Sequence, residues 1–342
     1  MKRGYMDWNK ELLPAKALEE RRGTLMAIAK EQGIAAVIVY GDVYSSDELS
    51  YYMNYAPYWC NSAAVFTSDG DAYMVTGHND RVNPWISELT GLPIEKLLAS
   101  GFRVPQRLAD SLKTKYPEGA RIGLVGKYVL GAVEKKLTES GFEVIAMDDM
   151  VVPALNQADE SYVKTVKKAM EIINGAVAEG ISVMNTKDVS QKVVCAEIEY
   201  YARKNGAMDV ILYTSEDGCA FSLPEAAEAG SGVWNVYVLM QYLGVWVSYG
   251  LTMGTDQRQA QDVREVLRKA AETIVPGKVI AAADGYKITV KSRMLSDTIS
   301  SLNTVSEAVA ENQVISIGAL EESKGGYTER MFLVTKQGAV AL

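Results

Sequence analysis

Short apolar runs alternate with amphipathic stretches over residues 1–147, and this alternation limits the possible folds more than any other feature. The run at residues 34–40 is continuously apolar, as expected of a strand covered on both faces. A helix is predicted before it, over residues 15–32, and further strands are predicted at 121–125 and 142–147. Strands that alternate with helices predict an α/β domain.

The pattern changes after residues 148–159, a stretch that contains Pro153 and shows no clear periodicity. We place the domain boundary there, which gives predicted domains 1–152 and 153–342. In the second domain Asp159 is a suitable N-cap for a long amphipathic helix. The elements predicted after it are mostly hairpin-like strands with few helices. This pattern predicts helices on one face of a mainly antiparallel sheet, an α+β domain.

Composition excludes several classes of partner and site. The formal net charge of −8 argues against nucleic acid as a main partner, and a single histidine excludes a His-rich metal centre. Cys60, Cys195 and Cys219 are odd in number and widely spaced, which predicts neither a disulfide framework nor a zinc knuckle. No apolar run approaches a membrane span and the first residues lack a signal-peptide core. We therefore expect a reduced cytoplasmic protein without a membrane partner.

Four segments occur in an order that resembles a known superfamily. They read GIAAVIVYGD at 33–42, DELSYYMNY at 47–55, EIEYYARKNGAMD at 197–209 and ERMFLVTKQGAVAL at 329–342. Together they resemble the creatinase, prolidase and aminopeptidase P superfamily. The resemblance implies an α/β N-terminal domain of the creatinase type, a C-terminal α+β "pita-bread" domain, here shortened, and a homodimer.

The metal-dependent members of that superfamily hold two metal ions with two Asp, one His and two Glu. In the corresponding hairpin, QYLGVWVSYGLT, the two Asp positions are taken by Gln241 and Thr252. Gly318 stands at the first Glu position, no histidine follows residue 78, and Glu329 alone matches a ligand. One carboxylate cannot hold a hard divalent ion against water. We therefore predict no metal site and no cofactor.

Creatinase itself hydrolyses a C–N bond without metal, and the resemblance implies that its acid/base is a histidine in an H-x-x-P segment. The matching segment here is FSLP, with Phe221 in place of the histidine. Loss of a positioned acid/base lowers rates by roughly 10²–10⁴-fold. The first hypothesis is thus a non-catalytic or diverged homologue that binds a small molecule or short peptide. The alternative is a metal-independent hydrolase of a C–N bond in an amino-acid-like or guanidino substrate.

The candidate pocket follows from these positions. By strand alternation Trp246 shares a face with Ser248, whereas Tyr249 faces the other side. Pocket-lining and core-packing interpretations stay open for Trp246 and Tyr249, and Cys219 is either an inert thiol or a nucleophile. Glu329 is expected to meet the cationic or hydrogen-bond-donating end of a ligand. The candidate pocket residues are Glu329, Gln241, Thr252, Tyr249, Phe221, Cys219 and Trp246.

Two further features belong to the N-terminal domain. The loop that carries Tyr58, Trp59 and Asn61 is exposed and aromatic, and the resemblance implies that it reaches the partner subunit's site in a dimer. Half-buried packing is the alternative. His78 is the sole imidazole of the chain. We expect it to be a loop histidine that is hydrogen-bonded to the backbone. The alternative is a catalytic role.

Overall fold

The computed structural model describes residues 7–126, 129, 131–186, 188–230, 232–254, 257–278, 284–292 and 309–342. The chain divides into two compact units, Met1–Leu155 and Asn156–Leu342. The predicted boundary at 152/153 lies inside a helix, Asp148–Leu155, that the sequence pattern did not indicate. Two aspartates in its first turn favour a helix N-terminus there, although Pro153 interrupts its hydrogen bonding. Within the described ranges no helix is both long and apolar enough to cross a bilayer.

The first unit is a mixed sheet with helices. Its described strands run in the order β4-β3-β2-β1-β5-β6, with β1 parallel to β5 and antiparallel to β2. The helices are α1 Ala15–Glu31, α2 Asp47–Met53, α3 Asn83–Thr90, α4 Val104–Lys113, α5 Gly131–Glu139 and α6 Asp148–Leu155. The strands are β1 Ala36–Gly41, β2 Ser62–Thr67, β3 Ala72–Thr76, β4 Leu97–Ala99, β5 Arg121–Val125 and β6 Glu143–Ala146.

Strand β1 is buried along its whole length, as its continuous apolar run predicts. Leu108 and Leu112 of α4 and Leu137 of α5 pack with the strand residues Ile38 and Ile122 in one apolar cluster. The α/β class predicted for the first domain is confirmed.

The second unit is built on one antiparallel sheet. Its described strands run in the order β10-β11-β12-β9-β8-β7, and β13 pairs with β12. The helices are α7 Glu160–Thr186, α8 Gln191–Lys204 and α9 Gln257–Thr273. The strands are β7 Asp209–Ser215, β8 Val233–Tyr242, β9 Val245–Gly254, β10 Tyr286–Ser292, β11 Val314–Glu321, β12 Tyr327–Thr335 and β13 Gly338–Ala341.

Helices of the second unit pack on its sheet. Val263 and Leu267 of α9 pack against Ile317 of β11 and Phe332 of β12, while α7 and α8 lie against β7, β8 and β9. At the start of α7, the Asp159 carboxylate accepts a hydrogen bond from the Tyr162 N–H at 2.7 Å, as predicted for a cap. The α+β class of the second domain is confirmed.

The β8–β9 hairpin turns at Leu243-Gly244, and both residues have positive φ, 45° and 80°. Two-residue hairpins of type I′ require positive φ at both central positions. The turn fixes the register, which places Gln241 opposite Trp246 and Asn235 opposite Thr252.

His78 follows β3 and is fully buried. The rings of Tyr58 and Trp59 lie against it, with centroids 4.6 and 5.2 Å from the imidazole, although both aromatics remain about half exposed. Among the described residues neither ring nitrogen of His78 has a hydrogen-bond partner, so the expected backbone hydrogen bond is wrong. Because burial disfavours the charged form, the pKa of His78 is lowered to about 4.

We expect acid to destabilise the first unit through His78. The folded pKa of about 4 lies below the unfolded value of about 6.5, so protons favour the unfolded chain. The loss of stability begins as pH falls below about 6.5 and is complete below about 4. It amounts to roughly 3 kcal/mol, since one pKa unit corresponds to about 1.36 kcal/mol.

Proton NMR measures this pKa directly, because the chain has one histidine and its imidazole signals need no assignment. Urea unfolding as a function of pH measures the stability. His78→Phe removes the titration and is expected to flatten this part of the pH profile. An imidazole that titrates near pH 6.5 in the folded protein contradicts the prediction.

Candidate functional site

Glu329 is the centre of the candidate site. It lies on β12 and its side chain is fully buried. Strand pairing places it opposite Gly250 of β9 and Gly318 of β11. Because residues in register share a face of the sheet, the side chains around Glu329 come from several strands that are distant in sequence.

Among the described residues, four donors converge on the Glu329 carboxylate. Its Oε1 accepts hydrogen bonds from the Ser248 hydroxyl at 2.5 Å and the Tyr237 hydroxyl at 3.2 Å. Its Oε2 accepts from the Lys291 ammonium at 2.8 Å and the Tyr327 hydroxyl at 2.6 Å. A carboxylate offers about four lone-pair sites. The donors from the described residues therefore match these lone-pair sites in number.

Lys291 neutralises the charge of Glu329. Its ammonium forms an ion pair with the carboxylate, its side chain is 12% exposed, and it lies 5.4 Å from the centroid of the Tyr237 ring. Sequence reasoning missed Lys291, because β10 was not predicted as a strand. The signal was present, since Lys287, Thr289 and Lys291 alternate with Ile288 and Val290.

Gly318 leaves space that its neighbours occupy. A Cβ atom added there would lie 2.7 Å from Thr289 Oγ1, 3.3 Å from Glu329 Oε2 and 3.4 Å from the Tyr327 hydroxyl oxygen. The position that the resemblance gives to a second glutamate is thus directly beside Glu329. In this chain it carries no side chain and has no room for one.

Phe221 and Trp246 form an apolar border to this centre. The Phe221 ring packs on Tyr237 and Tyr327, with centroids 5.7 and 5.2 Å apart. Trp246 is buried in the same cluster as these tyrosines. Phe221 provides packing at the place where the resemblance implies a proton-transferring histidine.

Gln241 and Thr252 are not brought together. Thr252 faces Asn235 across the hairpin, and its hydroxyl lies 2.9 Å from Asn235 Oδ1 and accepts from the Tyr327 N–H at 2.8 Å. Gln241 lies six positions further along β8, roughly 20 Å away at about 3.3 Å per residue. The short turn at Leu243-Gly244 is the physical reason, since it sets the register.

Gln241 nevertheless has unpaired polar atoms in the interior of the described structure. It is fully buried, and within the described part of the chain neither its amide oxygen nor its amide nitrogen has a hydrogen-bond partner. The indole N–H of Trp246, its cross-strand neighbour, is likewise unpaired there. Buried unpaired polar groups cost about 1–3 kcal/mol each.

Tyr249 and Cys219 lie away from Glu329. Tyr249 is on the opposite face of the sheet, where the Arg330 guanidinium lies 3.4 Å from its ring centroid. Arg330 donates to the Gly250 and Glu329 backbone carbonyls, and burial lowers its pKa. Cys219 is an exposed free thiol in the loop after β7.

These side chains do not fit a metal pair. Among the described residues, the groups within hydrogen-bond distance of the Glu329 carboxylate are an ammonium and three hydroxyls, and that set holds no second carboxylate. In the part of the chain that the structure describes, no three His, Cys, Asp or Glu side chains are grouped as metal ligands. Divalent ions need several oxygen or nitrogen ligands.

The expected cationic ligand of Glu329 is also at odds with this geometry. That expectation treated Glu329 as a lone carboxylate, on the correct premise that Arg330 points away. The positive charge comes instead from Lys291, which is on another strand of the same sheet. A second cation at Glu329 would have to displace it.

Comparison with known proteins gives a clear result for the fold. No protein-family model matches the sequence, and no curated protein matches it. Solved structures do match over nearly the whole chain. An X-Pro aminopeptidase from Thermotoga maritima MSB8 has a TM-score of 0.71 and 16% identity, covering 94% of this chain and 96% of its own.

Two further structures agree. A prolidase from Pyrococcus horikoshii OT3 has a TM-score of 0.72 and 17% identity, covering 94% of this chain and 97% of its own. A Xaa-Pro dipeptidase from Bacillus anthracis has a TM-score of 0.71 and 16% identity, covering 95% and 97%. The chain therefore has the pita-bread fold of the prolidases and Xaa-Pro peptidases, as its sequence motifs imply.

Proposed function

We propose that this chain is a metal-independent protein of the pita-bread fold that binds a small molecule or short peptide and does not cleave it by metal catalysis. In this proposal the Lys291–Glu329 ion pair does structurally what a metal ion does in metal-dependent proteins of the superfamily. It holds the remaining glutamate and neutralises its charge.

The donors that occupy both oxygens of the Glu329 carboxylate support this proposal most. To use this carboxylate, a metal ion would have to displace the Lys291 ammonium and the Tyr327 hydroxyl from Oε2, or Ser248 and Tyr237 from Oε1. The displaced ammonium would then be left beside a cation in a largely buried place. Like charges in such surroundings repel strongly.

The alternative, a metal-independent hydrolase of a C–N bond, has less support. The Ser248 hydroxyl lies 2.5 Å from the Glu329 carboxylate, but both side chains are fully buried and closed to a substrate. Phe221, at the position where the resemblance implies the acid/base, cannot transfer a proton.

Two further elements of the proposal concern assembly and compartment. We propose a homodimer in which the loop of Tyr58, Trp59 and Asn61 contacts the partner subunit, since Tyr58 and Trp59 are 41% and 49% exposed. We also propose a cytoplasmic location, because Cys60, Cys195 and Cys219 are free thiols that suit a reducing compartment.

We expect Lys291→Met to lower the free energy of unfolding by about 3–5 kcal/mol, because the buried Glu329 carboxylate would lose the positive charge of its ion-pair partner. The double variant Lys291→Met with Glu329→Gln should recover much of this loss, because no buried charge remains. Urea unfolding at pH 7 measures both changes.

Lys287→Met is the matched control, since Lys287 lies on the same strand but is exposed. It should change the stability by no more than about 0.5 kcal/mol. Equal effects of Lys287→Met and Lys291→Met would contradict the assignment of Lys291 as the partner of Glu329.

We expect the purified protein to carry no stoichiometric transition metal and its melting temperature to be unaffected by EDTA or by added Mn²⁺, Co²⁺ or Zn²⁺. The reason is the set of described side chains around Glu329, an ammonium and three hydroxyls, which supplies no further anionic ligand. Elemental analysis together with thermal unfolding tests this. About two bound ions per chain, or a melting temperature raised by metal, would show that the proposed site is wrong.

We expect Trp59→Asp to convert the dimer into monomers, because an unpaired carboxylate buried at an interface costs several kcal/mol. Sedimentation velocity at micromolar concentration measures the state. Phe102→Asp is the control, since Phe102 is 94% exposed in the same unit and lies outside the loop. A monomeric wild type, or a dimer that tolerates Trp59→Asp, counts against the proposed interface.

A further inference from the structure

A polar cavity of about 360 Å³ lies at the end of β7, between the loop 214–227 and the first turn of α8. Thr214, in its wall, is in register with Val236 and so faces away from Glu329, by strand alternation. The residues that line the cavity include neither Glu329 nor the side chains that donate to it, so the cavity is distinct from the Glu329 centre. Its volume falls within the range of about 300–1,000 Å³ that is typical of small-molecule sites.

The loop around the cavity is held by backbone hydrogen bonds at both ends. Thr214 and Ser222 exchange two hydrogen bonds of 2.9 Å. The N–H groups of Gln191 and Lys192, at the start of α8, donate to the Ala227 and Glu225 carbonyls. The wall is therefore preformed, which reduces the entropy that a ligand must overcome on binding.

A buried carboxamide lines this cavity. Gln191 is 6% exposed, and among the described residues its side-chain amide has no hydrogen-bond partner. Because Gln191 lines the cavity, its unpaired amide is available to a ligand there. A buried amide that meets no protein group points to a ligand with complementary donors or acceptors.

The charged side chains that line the cavity are all acidic. Glu216, Asp217 and Glu225 line it, no lysine or arginine does, and within the described ranges none of the three forms an ion pair. The Cys219 and Ala220 N–H groups donate to Asp217, and these hydrogen bonds lower the pKa of its carboxyl. Asp217 is therefore ionised at neutral pH.

A metal ion does not suit this site. The three carboxylates line a wide cavity, and in the described part of the chain they do not form a metal-ligating group. An organic cation can reach several of them at once, because its charge and its N–H donors are spread over a larger volume.

We infer that this cavity binds a small organic cation that carries an amine or guanidinium group, with Glu225 and Asp217 meeting the charge and Gln191 meeting a further polar group. The inference rests on the proposed binding role and names its ligand class. Its failure would leave the metal and Lys291 results untouched, so the two can be told apart.

Isothermal titration calorimetry of the full chain with putrescine and with agmatine, at low salt, tests the inference. We expect dissociation constants of about 1 mM or tighter, and weaker binding in about 0.5 M NaCl because of screening. The neutral analogue 1,4-butanediol should not bind.

Glu225→Gln and Asp217→Asn should each weaken binding about tenfold or more, since each removes a charged acceptor. Both residues are exposed, and the amide of the Asp217→Asn variant would keep an oxygen for the loop N–H groups. Glu179→Gln, which makes the same charge change on the exposed face of α7, should leave binding unchanged. No heat from either amine up to about 10 mM, or binding that both cavity variants retain, would overturn the inference.

Discussion

The second unit depends on one buried carboxylate, Glu329, which accepts hydrogen bonds from four donors among the described residues. The donors to Glu329 come from four different strands: Tyr237 from β8, Ser248 from β9, Lys291 from β10 and Tyr327 from β12 itself. A buried ionised group without partners costs several kcal/mol, and this cost is what the four donors offset. The same contacts tie the strands together on the face that lacks α9.

The local pattern of the sequence predicted much of this arrangement. Alternation placed Trp246 and Ser248 on one face and Tyr249 on the other, and the structure agrees. It also placed Arg330 away from Glu329. These predictions succeed because the period of a strand is a local property that side chains two residues apart already express.

The partner of Glu329 could not be predicted in the same way. Lys291 precedes it by 38 positions and reaches it across β11, so its place depends on strand order and register in the whole sheet. The prediction that Gln241 lies with Thr252 and Glu329 was wrong for a related reason. Spacing along the chain matched it to a ligand position, but the positive φ values at Leu243-Gly244 decide which residues face each other. Helix α6 was not predicted because it contains Pro153, a residue that normally ends a helix.

The burial of His78 has a consequence for the electrostatics of the whole protein. Histidine is the one side chain whose ordinary pKa lies between about pH 5 and 8. This chain has a single histidine, and its pKa of about 4 keeps it neutral throughout that interval. The net charge, formally −8 at pH 7, therefore changes little with pH near neutrality and approaches zero only as carboxylates take up protons toward the pI of about 5.0. Attraction of positively charged molecules to the protein will respond to ionic strength far more than to physiological changes in acidity.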